Sequence, residues 1–318
     1  MASGDCIFLT GATGFVGSHI LRELLGAGYE VRALRRSSDT RHSPDVEWIE
    51  GDLRNVGAFA RTLDGCRALV HCAALYSFAP RDRAEIHAVN VDATASLLLA
   101  ADLAGVERVV LTSSSATEDH AENGYHRSKL EQERAAFSAR VPVIALLPTA
   151  PVGPGDRKPT PTGKLVLDFA RGKIVAKAPG NGGMNLVAVE DVARAHVAAL
   201  QGGRTGERYI VGGENLSMDE IWRMLSEITG RPMPAMRAPY ALALAAGYLD
   251  DLRCRITGST PTVPLEGVRL SRERMYADSS KAARDLGYVA TSVRAALERA
   301  VAWFRDHATA SEPIRSVR

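Results

Sequence analysis

The sequence predicts an α/β protein: a doubly wound parallel sheet followed by a smaller, mostly helical C-terminal region. Three observations carry that expectation. Short, almost wholly apolar runs alternate with helical patterns over the first half of the chain, as strands covered on both faces of a parallel sheet require. A glycine-rich turn, Gly11-Ala12-Thr13-Gly14-Phe15-Val16-Gly17, joins the first such run to the first helix. After Pro148 the texture changes to a proline- and glycine-rich segment and then to further helical patterns.

Each element has its own signal. The apolar run 6–9 is the first strand. The periodic segment 15–27 is the first helix, ended by Gly28, and 30–34 is the second strand. The cycle repeats with 46–50 extended, 56–63 helical, 68–72 a buried strand and 83–104 a long helix. A strand at 106–112, a helix at 125–139 and a strand at 141–147 follow. Residues 148–163 hold too many breakers for a regular element. Helical patterns at 191–200 and 219–229 flank a strand-like 208–211, and 291–307 closes the chain. Segment 239–249 is apolar enough to lie on a membrane, but its length fits a core or dimer helix better. The nucleotide-binding part is expected over 1–170, with 185–212 returning to it, and an interleaved substrate-binding region over 171–318.

Composition narrows the function. The 318 residues are 46% hydrophobic and 24% charged, which excludes a disordered chain. With 39 basic and 37 acidic residues the net charge is +2, leaving no case for a nucleic-acid groove or a polybasic membrane anchor. Cys6, Cys66, Cys72 and Cys254 form no CxxC pair and no metal-ligand spacing. No metal site is therefore expected; Cys6 and Cys72, in apolar strand-like runs, read as small buried hydrophobes, and a reducing cytoplasm fits the set. No apolar stretch reaches the roughly 18 residues needed to cross a bilayer, so stable membrane insertion is not expected. The N-terminus enters a strand at once, unlike a signal peptide.

Three motifs carry chemistry. The turn Gly11, Thr13, Gly14, Phe15, Val16, Gly17 lacks bulky side chains where a pyrophosphate would approach, and the following helix start offers unpaired N–H groups to it. Arg35 and Arg36 end the second strand, where an NAD-binding fold places an acid for the ribose 2′-hydroxyl. Arginines suit a 2′-phosphate, so NADP(H) is the expected cofactor. Tyr125 and Lys129 are spaced to share one helix face. A phenol titrates near 10, and acid–base work at neutral pH asks for about 4 kcal/mol of help, which a nearby ammonium can give by favouring phenolate. Ser114, just past the preceding strand, would hold a substrate oxygen beside Tyr125. Lys158, Lys164, Lys173 and Lys177 are either an anion site or a solvated surface. His196 reads as a helix residue packed near the sheet.

With Asp52-Leu53, His71-Cys72-Ala73-Ala74, Asn90-Val91 and Thr112-Ser113-Ser114-Ser115, these motifs resemble the extended short-chain dehydrogenase/reductases over essentially the whole chain. The stretches KPTPTGKLVLDFARGK, NLVAVEDVARAHVAAL and GERYIVGGENLS are similar to the hopanoid-associated sugar epimerases, relatives of the dihydroflavonol-reductase branch. The resemblance implies a Rossmann fold and a catalytic Ser114, Tyr125 and Lys129, with Lys129 also bonding the nicotinamide ribose. It implies adenine contacts at Asp52 and Leu53, a cofactor cleft lined by Ala73, Ala74 and Pro148, and Arg36 facing the NADP phosphate. It further implies a homodimer built through helices 83–104 and 125–139. The activity implied is hydride transfer between the nicotinamide and a secondary alcohol or ketone, with epimerisation or dehydration of a (nucleotide-)sugar as the alternative use of the same triad. One departure stands out. Only SATEDHAENG separates Ser114 from Tyr125, shorter than in relatives, so an open site and a bulky small-molecule substrate are expected.

Overall fold

The structure is a computed structural model. It describes residues 4–36, 43–77, 80–118, 124–174, 176–177, 179–180, 182–257 and 265–308. The chain divides into two compact units, the first of Met1–Thr149, Glu190–Gly212 and Ala277–Ala290, the second of Ala150–Val189, Gly213–Tyr276 and Thr291–Arg318.

The first unit is a Rossmann-like α/β sandwich. Strands β1 (Cys6–Thr10), β2 (Glu30–Arg35), β3 (Val46–Glu50), β4 (Ala68–His71), β5 (Arg108–Thr112) and β6 (Val143–Pro148) pair in parallel. Next in the chain, β7 (Ala150–Val152) and β8 (Gly183–Ala188) leave this sheet, and β9 (Arg208–Val211) rejoins it. The seven strands stand in the order β3-β2-β1-β4-β5-β6-β9. The order reverses between β1 and β4, which opens a ligand crevice past the carboxyl ends of those two strands.

Helix α1 is Phe15–Gly26, and α2 is Arg83–Leu103, a helix carrying one π turn at Ala88–Asp92. Helix α3 is Gly124–Phe137. Side-chain alternation sends Phe8, Leu69, Val109 and Val143 to one face of the sheet, where they pack with Leu97, Leu98 and Ala136 of α2 and α3. Truncating a fully buried leucine such as Leu97 to alanine would cost about 2–5 kcal/mol. Two expectations are corrected here. Residues 56–63 fall in two 3₁₀ turns, Leu53–Ala58 and Ala60–Leu63, which part at Phe59, where φ is −125° and ψ 1°. Helix α2 is long and apolar enough by composition to cross a membrane, although no stretch was expected to be. Its Ile86, Ala93, Leu97, Leu98 and Ala101 are buried, as in a core helix.

The second unit holds α4 (Pro161–Ala170) and a small sheet of β7, β8, β10 (Glu214–Ser217) and β11 (Arg274–Met275). Helix α5 (Val189–Gly202) leads back into the first unit. Helices α6 (Met218–Thr229), α7 (Tyr240–Thr257), α8 (Leu265–Leu270) and α10 (Val293–Ala308) belong to the second unit and α9 (Ser280–Leu286) to the first. A core of Phe169, Leu186, Trp222, Leu225, Leu297 and Phe304 fills the second unit. Residues 150–170, placed with the nucleotide-binding part in the sequence reading, fall in this unit, since β7 pairs with β8. The small sheet is additional to the mostly helical region expected there.

Candidate active site

The turn from β1 into α1 is shaped by what glycine lacks. Gly11 has φ +79°, and a Cβ there would lie 2.7 Å from Ala73 N. A Cβ at Gly17 would collide with the Gly11 carbonyl, which accepts a hydrogen bond from Gly14 N at 2.8 Å. Gly14 is the N-cap of α1 and supplies no side-chain cap. The first-turn N–H groups around Thr13, Phe15 and Val16 therefore face a cradle of backbone, closed on the β4 side by Ala73. These residues fit the pyrophosphate of a dinucleotide.

At the end of β2 the two arginines part company. Arg35 turns onto β3, with Nη2 3.5 Å from Glu50 Oε1 and its guanidinium 5.5 Å from the Trp48 ring centre. Arg36 is exposed at the strand end. Asp52 is held by Arg54, whose Nη2 donates to Asp52 Oδ2 at 2.7 Å and whose backbone N donates to Oδ1 at 2.9 Å. The Arg54 hydrogen bond is the main reason the Asp52 carboxyl is held down at about 2, opposed by burial and helped by Arg36. Asp52 thus meets an adenine only if it shares its carboxylate with Arg54. Leu53 is buried beside it, while Ala74 is exposed past the end of β4 and Pro148 is buried at the end of β6.

The reactive centre lies past the ends of β4 and β5. Lys129, 2% exposed, donates from Nζ to the Thr112 carbonyl at 2.6 Å and to Gln132 Oε1 at 2.5 Å. Burial lowers its ammonium to about 8. Cys72, the residue after β4, is pushed up by burial, with Thr112 and the Lys129 charge opposing. Burial, with Cys72 adding to it, pushes the Tyr125 phenol above its ordinary value. The phenol is thus held protonated by its surroundings, not favoured as phenolate by Lys129 as the sequence led one to expect, and two of the three Lys129 ammonium hydrogens go to Thr112 and Gln132. Ser114 caps the 3₁₀ turn Ser115–Thr117, its Oγ accepting from Ala116 N at 3.3 Å, two residues past Thr112. Residues 119–123 of the shortened segment lie outside the described residues.

Several residues to which the sequence assigned no catalytic part surround this centre. Tyr76 stacks edge-on against Tyr125, ring centres 4.4 Å apart. Asn90, in the π turn of α2, accepts from Leu75 N at 2.7 Å and donates to Ser128 Oγ at 3.0 Å, tying the loop after β4 to α3. A π turn at such a point is a common mark of a functional site. Gln132 Nε2 donates to Thr94 Oγ1 at 2.9 Å, and His71 is buried between Thr10 and Thr94 at 2.7 and 2.8 Å. His196 pairs with Thr112 Oγ1 at 2.7 Å and the Val192 carbonyl at 2.8 Å, in keeping with its reading as a packed helix residue. Gln132 was findable, three residues beyond Lys129 on the same helix face. Tyr76 carries no local signal. Of the lysine group, Lys164 pairs with Asp168 and Lys177 with Asp219, which fits a solvated surface.

Comparison with known proteins gives the family. The model of the NAD dependent epimerase/dehydratase family matches residues 7–212. A Synechocystis sp. protein provisionally named dihydroflavonol 4-reductase is 39% identical, with 96% of each chain covered. Sterol demethylase protein B of Methylococcus capsulatus is 37% identical over 94% of this chain and 98% of its own. Among solved structures, gox2253 superposes with a TM-score of 0.82 at 35% identity, covering 96% of this chain and 99% of that one. The chain belongs to the NAD-dependent epimerase/dehydratase family, within the extended short-chain dehydrogenase/reductases.

Proposed function

We propose that this protein is an NADP(H)-dependent oxidoreductase acting on a secondary alcohol or ketone of a bulky, lipid-class substrate. The observation that carries the reading is Lys129 Nζ on the Thr112 carbonyl at the end of β5, one helical turn from Tyr125, in the same unit as the Gly11 cradle. Bound there, the nicotinamide would supply or accept a hydride. Tyr125 Oη, kept protonated by burial, donates its proton to the carbonyl oxygen as the alcohol forms, and takes one back in the oxidising direction. Ser114 Oγ orients that oxygen. Lys129 Nζ, fixed by Thr112 and Gln132, holds the cofactor ribose and offsets charge that develops on the phenol.

Arg36, exposed at the end of β2, supports the choice of NADP(H), since its guanidinium can reach a 2′-phosphate while Arg35 is engaged by β3. The lipid class is supported by relatives whose names concern lipids, sterol demethylase protein B and the ceramide reductase of Caulobacter vibrioides, the latter 30% identical over 86% of this chain. A homodimer is part of the proposal, on the exposed Leu99 and Leu103 of α2. A second reading, sugar epimerisation with a retained cofactor, draws on MoeE5, solved with UDP-glucose and NAD at 27% identity and a TM-score of 0.75. Denaturing the purified protein and identifying the released nucleotide separates the two: little or exchangeable NADP(H) supports the reductase, and firmly retained NAD(H) supports the epimerase.

A further inference from the structure

Two cysteines that the candidate site does not use lie against each other. Cys6 opens β1, and Cys66 stands two residues before β4, the strand that β1 pairs with. Their Sγ atoms are 3.1 Å apart, hydrogen-bonding distance for two thiols. The environments of the two sulfurs differ. Cys6 is half-buried and borders an open groove of about 760 Å³ shared with Glu30, Arg32 and Glu47, whereas Cys66 is 3% exposed. Arg32 fixes a positive charge at the pair, with Nη1 3.6 Å from Cys66 Sγ. The same nitrogen donates to the Thr62 and Asp64 carbonyls at 2.5 and 3.0 Å, and Nε donates to Glu47 at 2.8 Å, so the guanidinium is held in place.

We propose that Cys6 and Cys66 are an attacking and a resolving thiol that form a reversible intramolecular disulfide by exchange with a small disulfide of the glutathione class. In the first step the Cys6 thiolate attacks one sulfur of the oxidant. The oxidant's S–S bond breaks, one thiolate leaves, and a mixed disulfide remains on Cys6. In the second step Cys66 gives up its proton, its sulfur attacks Cys6 Sγ, and the second small thiolate leaves. Two protein thiols are oxidised to one disulfide and the oxidant is reduced to two thiols, the departing thiolates taking up the two protons. Excess reduced thiol runs the sequence backwards.

The electrostatics assign the roles in the same direction. The hydrogen bond from Cys66 holds the Cys6 thiol well below the ordinary range, Arg32 helps, and burial, Glu47 and Glu30 oppose. The same hydrogen bond, with burial, pushes Cys66 up. Cys72, by contrast, is pushed up by burial and stays a thiol. The pair sits at the amino ends of β1 and β4, while Gly11 and Ala73 lie past their carboxyl ends. Oxidation therefore crosslinks the two switch-point strands at the edge away from the cofactor cradle.

The test is to incubate the full chain in glutathione buffers of varied ratio, block free thiols, and map the cysteines by mass spectrometry. The wild type should give a Cys6–Cys66 disulfide whose fraction follows the buffer ratio, Cys66→Ser should accumulate glutathione on Cys6, and Cys6→Ser should leave Cys66 unmodified. Equal modification of the remaining cysteine in the two variants, or mixed disulfides in the wild type with no intramolecular bond at any ratio, would overturn the proposal. Wild-type alkylation at neutral pH reads the same claim without a substitution: Cys6 should react about ten-fold faster than Cys72, and equal rates would contradict it.

Discussion

Lys129 Nζ donates to Gln132 Oε1 at 2.5 Å, one turn further along the same helix, so the buried ammonium has a neutral side chain as anchor. A hydrogen bond to a charged group contributes about 1.5–3 kcal/mol, which is one to two units of pKa. Gln132 is thus a positioning residue that helps keep Lys129 protonated at about 8 rather than lower. Gln132→Leu should move the alkaline limb of the kcat profile to lower pH by about one unit, and Gln132→Glu should move it to higher pH. A pH–rate series on both variants checks this. A lowered kcat with the limb unmoved would reduce Gln132 to packing.

Stability should depend on two buried histidines. Burial, and the Lys129 charge after it, lowers His71 to about 3, while burial lowers His196 to about 4 against a carbonyl bond that raises it. Both rings stay neutral in the folded chain and protonate on unfolding below about 6.5. The unfolded state then binds more protons, and stability is lost as pH falls from about 6.5 toward 4. Each ring contributes a slope of about 1.4 kcal/mol per pH unit. Denaturant titrations across that window should show this slope, reduced by about half in His196→Gln.

Cofactor choice should rest on one arginine more than the other. NADPH is expected to bind at least about ten-fold more tightly than NADH, equivalent to about 1.4 kcal/mol. Arg36→Ala should erase most of that preference. Arg35→Ala should weaken β3 packing through Glu50 and Trp48 and change the preference less. Fluorescence titration of both nucleotides into the two variants measures it.

Where local pattern carries a feature, the sequence displayed it. Strands β1, β4, β5 and β6 of the large sheet are almost wholly apolar runs, and the Gly11 turn and the Tyr125–Lys129 spacing are each set by neighbours within a few residues. What stayed hidden depends on distant partners. Asp52 looks like a free adenine ligand until Arg54 is seen folded back onto it. The helical pattern at 56–63 is broken at one residue, Phe59. Tyr76 meets Tyr125 only because the loop after β4 lies against α3, and the small second sheet joins short segments far apart in the chain.

Assembly offers a separate check. Leu99 and Leu103 on α2 are 61% and 80% exposed, whereas α3 shows Arg127 and Arg134 to solvent. A dimer contact should therefore be anchored by α2. Light scattering is expected to give twice the 34.1 kDa chain mass, and Leu103→Arg to shift it toward monomer at micromolar concentration.

The proposal that Tyr125 is the proton donor of an enzyme that exchanges NADP(H) is checked by measuring cofactor exchange and turnover together, on wild type and Tyr125→Phe. NADPH should dissociate within seconds on dilution from both proteins, and carbonyl reduction should fall by about a hundred-fold or more in the variant. Turnover of a sugar by a protein that keeps its nicotinamide and needs none added, or a Tyr125→Phe enzyme retaining more than about a tenth of wild-type kcat, would contradict it.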